Sequence, residues 1–453
     1  MNNLTTSNEA SFLGHPRGLF LLFATEMWER FSYYGMRALL VLTLVAGTSA
    51  MNPGFGWSKA EALSLYGTFT GLCYFTPLIG GWIADNFLGQ RKSIIIGGLI
   101  MAAGQFTLSA SIPGNVSLFY IGLGLIIIGN GFFKPNISTM VGDLYKQGDP
   151  RRDGAFTIFY MGINVGAFLA PLVCSTLGED ANWGWKYGYM AAGIGMLISV
   201  VTQLLLAQRL LGDIGREPGA KRSLAASGGK KEPLTKVEWD RMRVVFVLFV
   251  FIVIFWTAFE QAGGLLNIYA SEKTNRFVGS FEVPAGWFQS VNAFFIVLLG
   301  PVFAIVWSSL GRAGKNPSTP AKMIMGLMFT ALGFLFMVGA AMDQSTNGKA
   351  AMFWLVLAYL FHTMGELCIS PVGLSMVTKL APIRLASLMM GVWFLINAVA
   401  NKLAGVVGAY AEQAGELTIF GGLTGFLVVF GLGLWAISGK LVHWMHGAEE
   451  TKV

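Results

Sequence analysis

The chain has 453 residues, of which 54% are hydrophobic and only 12% are charged. Soluble globular proteins carry about 25% charged residues, so this composition argues against a soluble multidomain enzyme. The formal net charge of +7 would suit a nucleic-acid partner, but most basic residues lie in loops on one side of the apolar segments, which disfavours that class. The three cysteines, Cys73, Cys174 and Cys368, show no CxxC or Cys/His spacing and predict neither a disulfide framework nor a metal site.

Twelve apolar segments follow one another along the chain, and most reach the ~20 residues that span a bilayer. Their predicted boundaries are 17–46, 58–85, 93–112, 116–143, 155–178, 187–210, 243–270, 286–311, 322–342, 351–380, 385–410 and 418–443. Segments that cross hydrocarbon must satisfy their backbone hydrogen bonds internally, so we expect helices. The first segment is too long and too charged for a cleavable signal peptide. The predicted fold class is therefore an all-α polytopic membrane protein.

Loop charge predicts the orientation of these spans. Most Lys and Arg residues outside the spans fall in loops on the same side as the amino terminus, and loops enriched in this way are cytoplasmic. Both termini are therefore expected in the cytoplasm. One long polar stretch, 211–240, is predicted to be a cytoplasmic linker between six spans in 1–210 and six spans in 241–453.

The two halves resemble each other weakly around one proline in each. Pro135 in span four and Pro371 in span ten occupy corresponding places. Broken helices at such positions are typical of the midplane of secondary transporters. We therefore expect an interruption at both prolines.

Eight ionisable side chains lie deep in the spans, where each costs about 2.5–3.5 kcal/mol on insertion scales. They are Glu26, Glu29, Arg30, Arg37, Lys134, Glu260, Glu366 and Lys402. All except Lys402 lie in spans one, four, seven and ten, which predicts a central cavity shared by the two halves. Static ion pairs that pin the helices together are the alternative, although buried pairs stabilise poorly.

Span one carries the densest polar face. Its members are Glu26, Glu29, Arg30, Tyr33, Tyr34 and Arg37. At about 100° per residue they cover an arc of roughly 140°, so this face cannot look at lipid. Tyr33 and Tyr34 would suit ordinary packing if taken alone, but four neighbouring charges favour a place on the cavity wall.

Other spans offer polar groups with two interpretations each. Candidates for substrate contact are Tyr160 and Asn164 in span five, Gln289 and Asn292 in span eight, and Trp393, Asn397 and Asn401 in span eleven. Asn and Gln also hold helices together through hydrogen bonds, and Gly162 and Gly166 form a GxxxG pattern that is more typical of helix packing. His362, one turn before Glu366, suits either a proton relay or helix packing. The sequence assigns no role to Lys402, for which a place in an extracellular gate is one interpretation.

The loop between spans two and three resembles the signature loop of the major facilitator superfamily. It reads Gly81-x-x-x-Asp85-x-x-x-Gly89-Gln90-Arg91-Lys92. The resemblance implies that fold, with twelve transmembrane helices in two six-helix halves. It also implies that the carboxylate and the basic residues form a state-dependent latch.

Four further motifs resemble the proton-dependent oligopeptide transporter family, bacterial type, and together they extend over both halves. They are Glu26-x-x-Glu29-Arg30-Phe31-x-Tyr33-Tyr34-Gly35, Phe133-Lys134-Pro135-Asn136-Ile137, the run from Phe156 to Phe168, and Glu366-x-x-x-Ser370-Pro371-x-Gly373-Leu374-Ser375. Members are peptide:proton symporters. The resemblance implies a multi-pass transporter of the bacterial cytoplasmic membrane, not an enzyme. It would function as a monomer, with protons as the coupling ion and no other cofactor.

The resemblance also implies roles for individual residues. The residues that would hold a di- or tripeptide are Tyr33, Arg37, Tyr66, Lys134, Tyr160, Asn164, Gln289, Asn292, Glu366 and Trp393. Among these, Arg37 and Lys134 would face the peptide carboxylate, and Glu366 would face its amino group. The proton-coupling residues would be Glu26, Glu29, Arg30, Lys134 and Glu260. Exchange of a basic partner between a carboxylate and the substrate, in Glu29 with Lys134 or Glu260 with Arg37, would drive coupling.

The chain departs from the family in two places. Animal members have an essential histidine in span two, where this chain has Tyr66-Gly67, so carboxylates must carry the proton. Many bacterial members insert two extra helices between the halves, which 211–240 cannot supply.

Other functions remain open on the same residues. A nitrate or organic-anion symporter would use Arg37 and Lys134 without needing Glu366, and a drug/proton antiporter would rarely balance acidic and basic groups so evenly. An intramembrane enzyme would need a catalytic set within the spans, and none is visible. A structural or receptor role is disfavoured by the buried charges.

Overall fold

The structure is a computed structural model that describes residues 11–146, 149, 151–218, 234–382 and 385–448. Thirteen α-helices dominate these ranges. They are α1 Arg17–Val45, α2 Lys59–Ile83, α3 Gln90–Ser111, α4 Val116–Asp143, α5 Arg151–Glu179, α6 Trp185–Leu211, α7 Lys236–Phe259, α8 Leu265–Lys273, α9 Phe288–Arg312, α10 Thr319–Asn347, α11 Met352–Leu380, α12 Ala386–Ala414 and α13 Glu416–Trp444. A π-helical turn, Ala84–Leu88, extends α2, and 3-10 turns occupy Glu260–Gly263 and Ala285–Trp287.

Six two-residue strands complete the regular structure of the described residues. β1 (Ser11–Phe12) pairs antiparallel with β2 (His15–Pro16), and β4 (Phe277–Val278) pairs antiparallel with β5 (Phe281–Glu282). β3 (Thr274–Asn275) pairs parallel with β6 (Ala350–Ala351). These strands lie in loops, so the class is all-α.

Eleven helical segments of the described chain are long and apolar enough to cross a membrane. The twelfth long helix, α1, has 29 residues and is long enough as well, but it is less apolar than the others because it carries Glu26, Glu29, Arg30 and Arg37. The predicted spans agree with the helices to within a few residues at most ends. The twelve-span architecture follows from both observations.

The structure differs from the sequence prediction at span seven and at the two prolines. The predicted span 243–270 is broken, because α7 ends at Phe259 and the 3-10 turn Glu260–Gly263 precedes α8. Conversely, α4 and α11 run through Pro135 and Pro371 without ending, so the interruption expected there is wrong. Proline is tolerated inside membrane helices when neighbouring groups take over the freed backbone hydrogen bond.

The start of α7 also differs from the prediction, and its cap explains why. Thr235 and Glu238 form a capping box, in which each side chain accepts a hydrogen bond from the backbone of the other. The helix therefore begins at Lys236, inside the predicted linker. Half of that predicted linker, 219–233, lies outside the described residues.

The chain divides into two compact units of packing. The first comprises the described parts of Met1–Met36, Thr76–Gly178 and Trp183–Gly228, and the second those of Arg37–Phe75, Glu179–Asn182 and Gly229–Val453. Both α1 and α2 thus contribute to each unit. The sequence predicts a different kind of division, into the successive segments 1–210 and 241–453 on either side of the linker. That division stays a prediction.

Glycines bring the helices of the first unit into close contact. A Cβ on Gly97 of α3 would lie 2.6 Å from the carbonyl oxygen of Gly129 in α4, and one on Gly129 would lie 2.5 Å from that of Gly97. Gly104 and Gly122 repeat this arrangement two turns away. Small residues let backbones approach where lipid provides no hydrophobic driving force between helices. This packing fixes α3 and α4 as a rigid pair.

Candidate functional site

A charged cluster on α1 lies buried in the first unit. Arg30 donates to both carboxylate oxygens of Glu29, with 2.7 Å between Nη2 and Oε1, and its Nε lies 3.1 Å from Oε1 of Glu26. The Lys134 ammonium on α4 also attracts the Glu26 carboxylate electrostatically. Two carboxylates and two cations balance here, which is the arrangement that a buried polar face requires.

The neighbouring helix α5 reaches this cluster because of its glycines. A Cβ on Gly166 would collide with the carbonyl oxygen of Met27, and one on Gly162 would lie 2.9 Å from the ring of Phe23. The GxxxG pattern is therefore a packing seam, and the packing interpretation is confirmed. The seam places α5 directly against the charged turn of α1.

Three predicted substrate residues also lie in the first unit. Tyr33 is buried, and the Arg30 guanidinium carbon lies 5.4 Å from its ring centroid. Tyr160 is 41% exposed, whereas Asn164 is buried and donates from Nδ2 to the Tyr160 carbonyl oxygen at 2.9 Å. That hydrogen bond of the Asn164 side chain stays within α5 and does not join two helices. Tyr160 is the one of the three with a large accessible surface.

The second unit holds an ion pair between α1 and the 3-10 turn after α7. Arg37 Nη2 lies 2.7 Å from Glu260 Oε2, and Arg37 Nε donates to the hydroxyl of Tyr66 on α2 at 2.8 Å. All three side chains are buried. The predicted pairing of Arg37 with Glu260 is confirmed. Tyr66, predicted to hold peptide backbone, here orients the guanidinium.

The break in span seven is what allows this ion pair. Gly263 in the 3-10 turn faces it, and a Cβ there would collide with the Tyr66 hydroxyl and the Arg37 guanidinium. Asn267 of α8 donates to the carbonyl oxygen of Ala38 at 2.8 Å, and so ties the turn to α1 next to Arg37. The role of Gly263 could not be predicted from sequence, because it depends on α1 and α2, which are distant along the chain.

A carboxylate with a neutral hydrogen-bond partner lies elsewhere in the second unit. Asn292 of α9 donates to Oε2 of Glu366 at 3.0 Å and to the hydroxyl of Thr363 at 2.9 Å. Gln289 lies one turn earlier on the same helix and is partly buried. The charges of Glu260 and Arg37 also act on Glu366. Thr363 was missed from sequence because threonine in a span usually bonds only its own helix.

The aromatic side chain predicted beside the substrate lies against α11. A Cβ on Gly373 would be 2.9 Å from the Trp393 ring, and the Phe249 ring lies 6.3 Å from it between centroids. Below it on α12, Asn397 donates to the Trp393 carbonyl oxygen and Asn401 to that of Asn397. The hydrogen bonds that these two amides donate thus stay within α12, and among the described residues neither amide donates to another helix.

Two groups left open by the sequence have clear surroundings. The His362 ring packs 4.5 Å from that of Phe334, and Gly333 gives it room because a Cβ there would collide with it. This contact favours helix packing over a proton relay. Lys402 of α12 donates to the hydroxyl of Thr68 on α2 at 2.7 Å.

The signature loop uses its arginine differently from the expected latch. Arg91 donates to the carbonyl oxygens of Ala207 and Gly212, at 3.1 and 2.6 Å, and so caps the end of α6. Gly89 adopts a positive φ of 79°, and a Cβ there would lie 2.6 Å from the carbonyl oxygen of Arg216. Only glycine fits this position, which accounts for the second glycine of the motif.

No group of three His, Cys, Asp or Glu side chains that could hold a metal ion is found among the described residues. The twelve long helices of the described residues, with charges paired inside them, define a multi-pass membrane protein.

The chain belongs to the POT family. The family model described as "PTR2: POT family" matches residues 91–217 and 230–420. Members of this family are transporters and not enzymes, and their fold is that of the major facilitator superfamily. The resemblance noted in the sequence motifs is thereby confirmed.

Individual relatives match over nearly their whole length. The uncharacterized transporter YclF of Bacillus subtilis is 37% identical over 97% of this chain and 97% of its own. A di-/tripeptide transporter of Lactococcus lactis subsp. cremoris is 36% identical over 94% of this chain and 96% of its own. A crystal structure of a peptide transporter POT in complex with sulfate has a TM-score of 0.88 at 35% identity, covering 96% of this chain and 97% of that one.

The geometry around Gly263 generates a prediction. Gly263→Ala should push Tyr66 and Arg37 out of place and reduce the transport activity at least ten-fold, because the pair with Glu260 cannot then form as observed. Gly264→Ala is the matched control. The nearest atom to its new Cβ would be the end of the flexible Leu63 side chain, at 2.8 Å. Uptake by purified, reconstituted protein measures both, and equal activity of the two variants would contradict the role given to Gly263.

Proposed function

We propose that the chain imports di- and tripeptides together with protons by alternating access, as a monomer that needs no cofactor other than the coupling proton. The observation that carries this proposal is the buried pair of Arg37 with Glu260, held by Tyr66. It offers a cation that can bind a carboxylate and a carboxylate that can bind a proton. The di-/tripeptide transporter from Lactococcus lactis among the relatives supports the substrate class.

A peptide is a zwitterion whose side chains vary, so a carrier of many peptides must hold the constant parts. Arg37 and Lys134 would provide cations for the peptide carboxylate, and Glu366, which accepts a hydrogen bond from Asn292, would provide an acceptor for the peptide amino group. The backbone amides would be held by Tyr33, Tyr66, Tyr160, Asn164 and Gln289, and Trp393 would line a side-chain pocket. A variant of a solved peptide transporter POT in complex with alafosfalin, with a TM-score of 0.86 at 36% identity, supports the substrate class.

Coupling follows from exchange of the basic partner. When a peptide carboxylate takes the Arg37 guanidinium, Glu260 loses its counter-charge and binds a proton instead. Proton and peptide then cross together, because neither the unpaired carboxylate nor the unpaired guanidinium is tolerated in a dry site. Glu26, Glu29, Arg30 and Lys134 form a second set in which the same exchange can occur.

The setting of the carrier follows from its loops and its relatives. We place it in the bacterial cytoplasmic membrane, surrounded by lipid, with both termini in the cytoplasm because the basic loops lie on that side. The halves 1–210 and 241–453, joined through 211–240, would be the parts that move during transport.

The function is tested by uptake into proteoliposomes. An inward proton gradient should drive accumulation of a labelled dipeptide, and unlabelled dipeptide should compete whereas nitrate should not. Glu29→Gln should abolish gradient-driven accumulation while peptide exchange without a gradient survives, because only the proton step is lost. The control Glu217→Gln changes an exposed loop carboxylate and should behave as the unmodified protein.

Two outcomes would contradict the proposal. Competition by nitrate as strong as that by dipeptide would indicate an anion symporter. Full accumulation by the Glu29 variant would remove that residue from coupling.

The amino-terminal contact of the peptide generates a further prediction. Glu366→Gln keeps the size of the side chain and removes its charge, so binding of free dipeptides should weaken by about 1.5–3 kcal/mol, or roughly ten-fold or more. An amino-acetylated dipeptide lacks the ammonium group, and its weak binding should hardly change. Changes in protein and ligand that remove the same contact are not additive. Equal weakening of both ligands would show that Glu366 does not contact the amino group.

A further inference from the structure

Lys402 is a charged side chain in the middle of a membrane helix. At about 1.5 Å per residue, it lies about 24 Å from Ala386 and about 18 Å from Ala414, the two ends of α12. Its side chain is exposed, and its Nζ donates to Oγ1 of Thr68 on α2 at 2.7 Å. The ammonium group is therefore accessible at a depth where hydrocarbon surrounds the protein.

The partner of Lys402 is a neutral hydroxyl, not a counter-charge. Thr68 donates its own hydrogen to the carbonyl oxygen of Ser64 at 2.8 Å and accepts the bond from Lys402 on the same oxygen. Across the described ranges of the chain, no carboxylate forms an ion pair with Lys402. An ammonium group has three donors, so two remain for an acceptor that the described part of the protein does not supply.

A groove between α2 and α12 begins at this ammonium. It has a volume of about 320 Å³, near the lower end of the range of small-molecule sites. Its lining consists of Thr68, Gly71, Leu72, Phe75, Ala398, Val399, Lys402 and Leu403. A Cβ on Gly71 would lie 2.9 Å from the carbonyl oxygen of Ala398, so this glycine lets the helices meet at the floor. Apart from Lys402 and Thr68, the side chains of the lining are apolar.

The groove opens toward lipid. From Leu395 onward, the exposed apolar residues of α12 recur every three or four positions and form one stripe, namely Leu395, Val399, Leu403, Val406 and Tyr410. Lys402 lies at the edge of this stripe, and the exposed Leu72 and Phe75 of α2 form the opposite wall. An apolar helix face that is exposed within a span faces acyl chains. A ligand would therefore enter sideways from the bilayer.

We propose that this groove binds a single-chain amphiphilic acid, a long-chain carboxylic acid, with its carboxylate on Lys402 and Thr68 and its chain along Leu72 and Leu403. The ammonium requires an anion, and the walls require an apolar tail. A phospholipid keeps its headgroup near the surface of the ~30 Å hydrocarbon layer. A carboxylic acid has one small headgroup that is uncharged when protonated, so it can reach this depth.

The groove lies beside the point where α2 and α12 cross. Just beside it, α2 and α12 touch backbone to backbone, and a Cβ on Gly67 would lie 2.6 Å from the Cα of Gly405. An acid that contacts both helices bridges them next to this crossing.

Photolabelling of the full-length protein in phosphatidylcholine nanodiscs tests the site. The probe is palmitic acid with a diazirine in its chain, and labelled peptides are located by mass spectrometry. Labelling should fall within the groove residues of α2 and α12. Lys402→Met should reduce it at least ten-fold, and Lys402→Arg should keep it within two-fold. Val399→Trp, which fills the groove without changing charge, should also reduce it.

The controls separate charge from general affinity for the protein surface. The methyl ester of the probe lacks the carboxylate and should label the unmodified protein at least ten-fold less than the acid does. This control needs no variant, so it does not depend on whether a variant folds. Lys186→Met removes an exposed lysine at the end of another span and should leave labelling unchanged. Equal labelling by the acid and the ester would overturn the site. Equal labelling of the Lys402→Met variant and the unmodified protein by the acid would also overturn it. Equal or stronger Lys402-dependent labelling by a diazirine phosphatidylglycerol would overturn the assignment to a single-chain acid.

Discussion

A charge within a bilayer needs a partner, because hydrocarbon offers neither water nor hydrogen bonds, and the charges of spans one and seven find theirs inside the protein. This constraint explains the most unusual features of the chain. Span seven breaks into a 3-10 turn at Glu260, so that the carboxylate meets Arg37 on α1. Gly263 lacks a side chain where that ion pair needs the room. Tyr66 is buried so that its hydroxyl can hold the guanidinium.

The charges form two kinds of pair, and the difference bears on mechanism. Arg30 is held by Glu26 and Glu29 within one helix, whereas Arg37 and Glu260 come from helices far apart in sequence. A pair between separate helices contributes little net stability once desolvation is counted, so its retention argues for a function. A substrate carboxylate can replace Glu260 on Arg37, and the released carboxylate then has reason to take a proton. Static pinning of helices would need no such exchange.

The sequence predicted the fold almost completely, because apolar runs of span length leave only helices as an option. It also predicted the partner of Arg37, through resemblance to a family. It did not predict the break at Glu260 or the capping role of Arg91, since both depend on contacts with distant segments. The continuity of α4 and α11 through Pro135 and Pro371 was missed for the same reason, because neighbouring helices decide whether proline interrupts a span.

The most direct test of partner exchange is a count of the protons that bind with the peptide. Isothermal titration calorimetry of a dipeptide into the purified protein, in two buffers of different ionisation enthalpy near neutral pH, gives that number. The account predicts net proton uptake by the unmodified protein and by the control Glu217→Gln, and a smaller uptake by Glu260→Gln, which cannot bind a proton at that position. Binding without proton uptake in the unmodified protein, or the same uptake in the Glu260 variant, would contradict exchange at the Arg37–Glu260 pair.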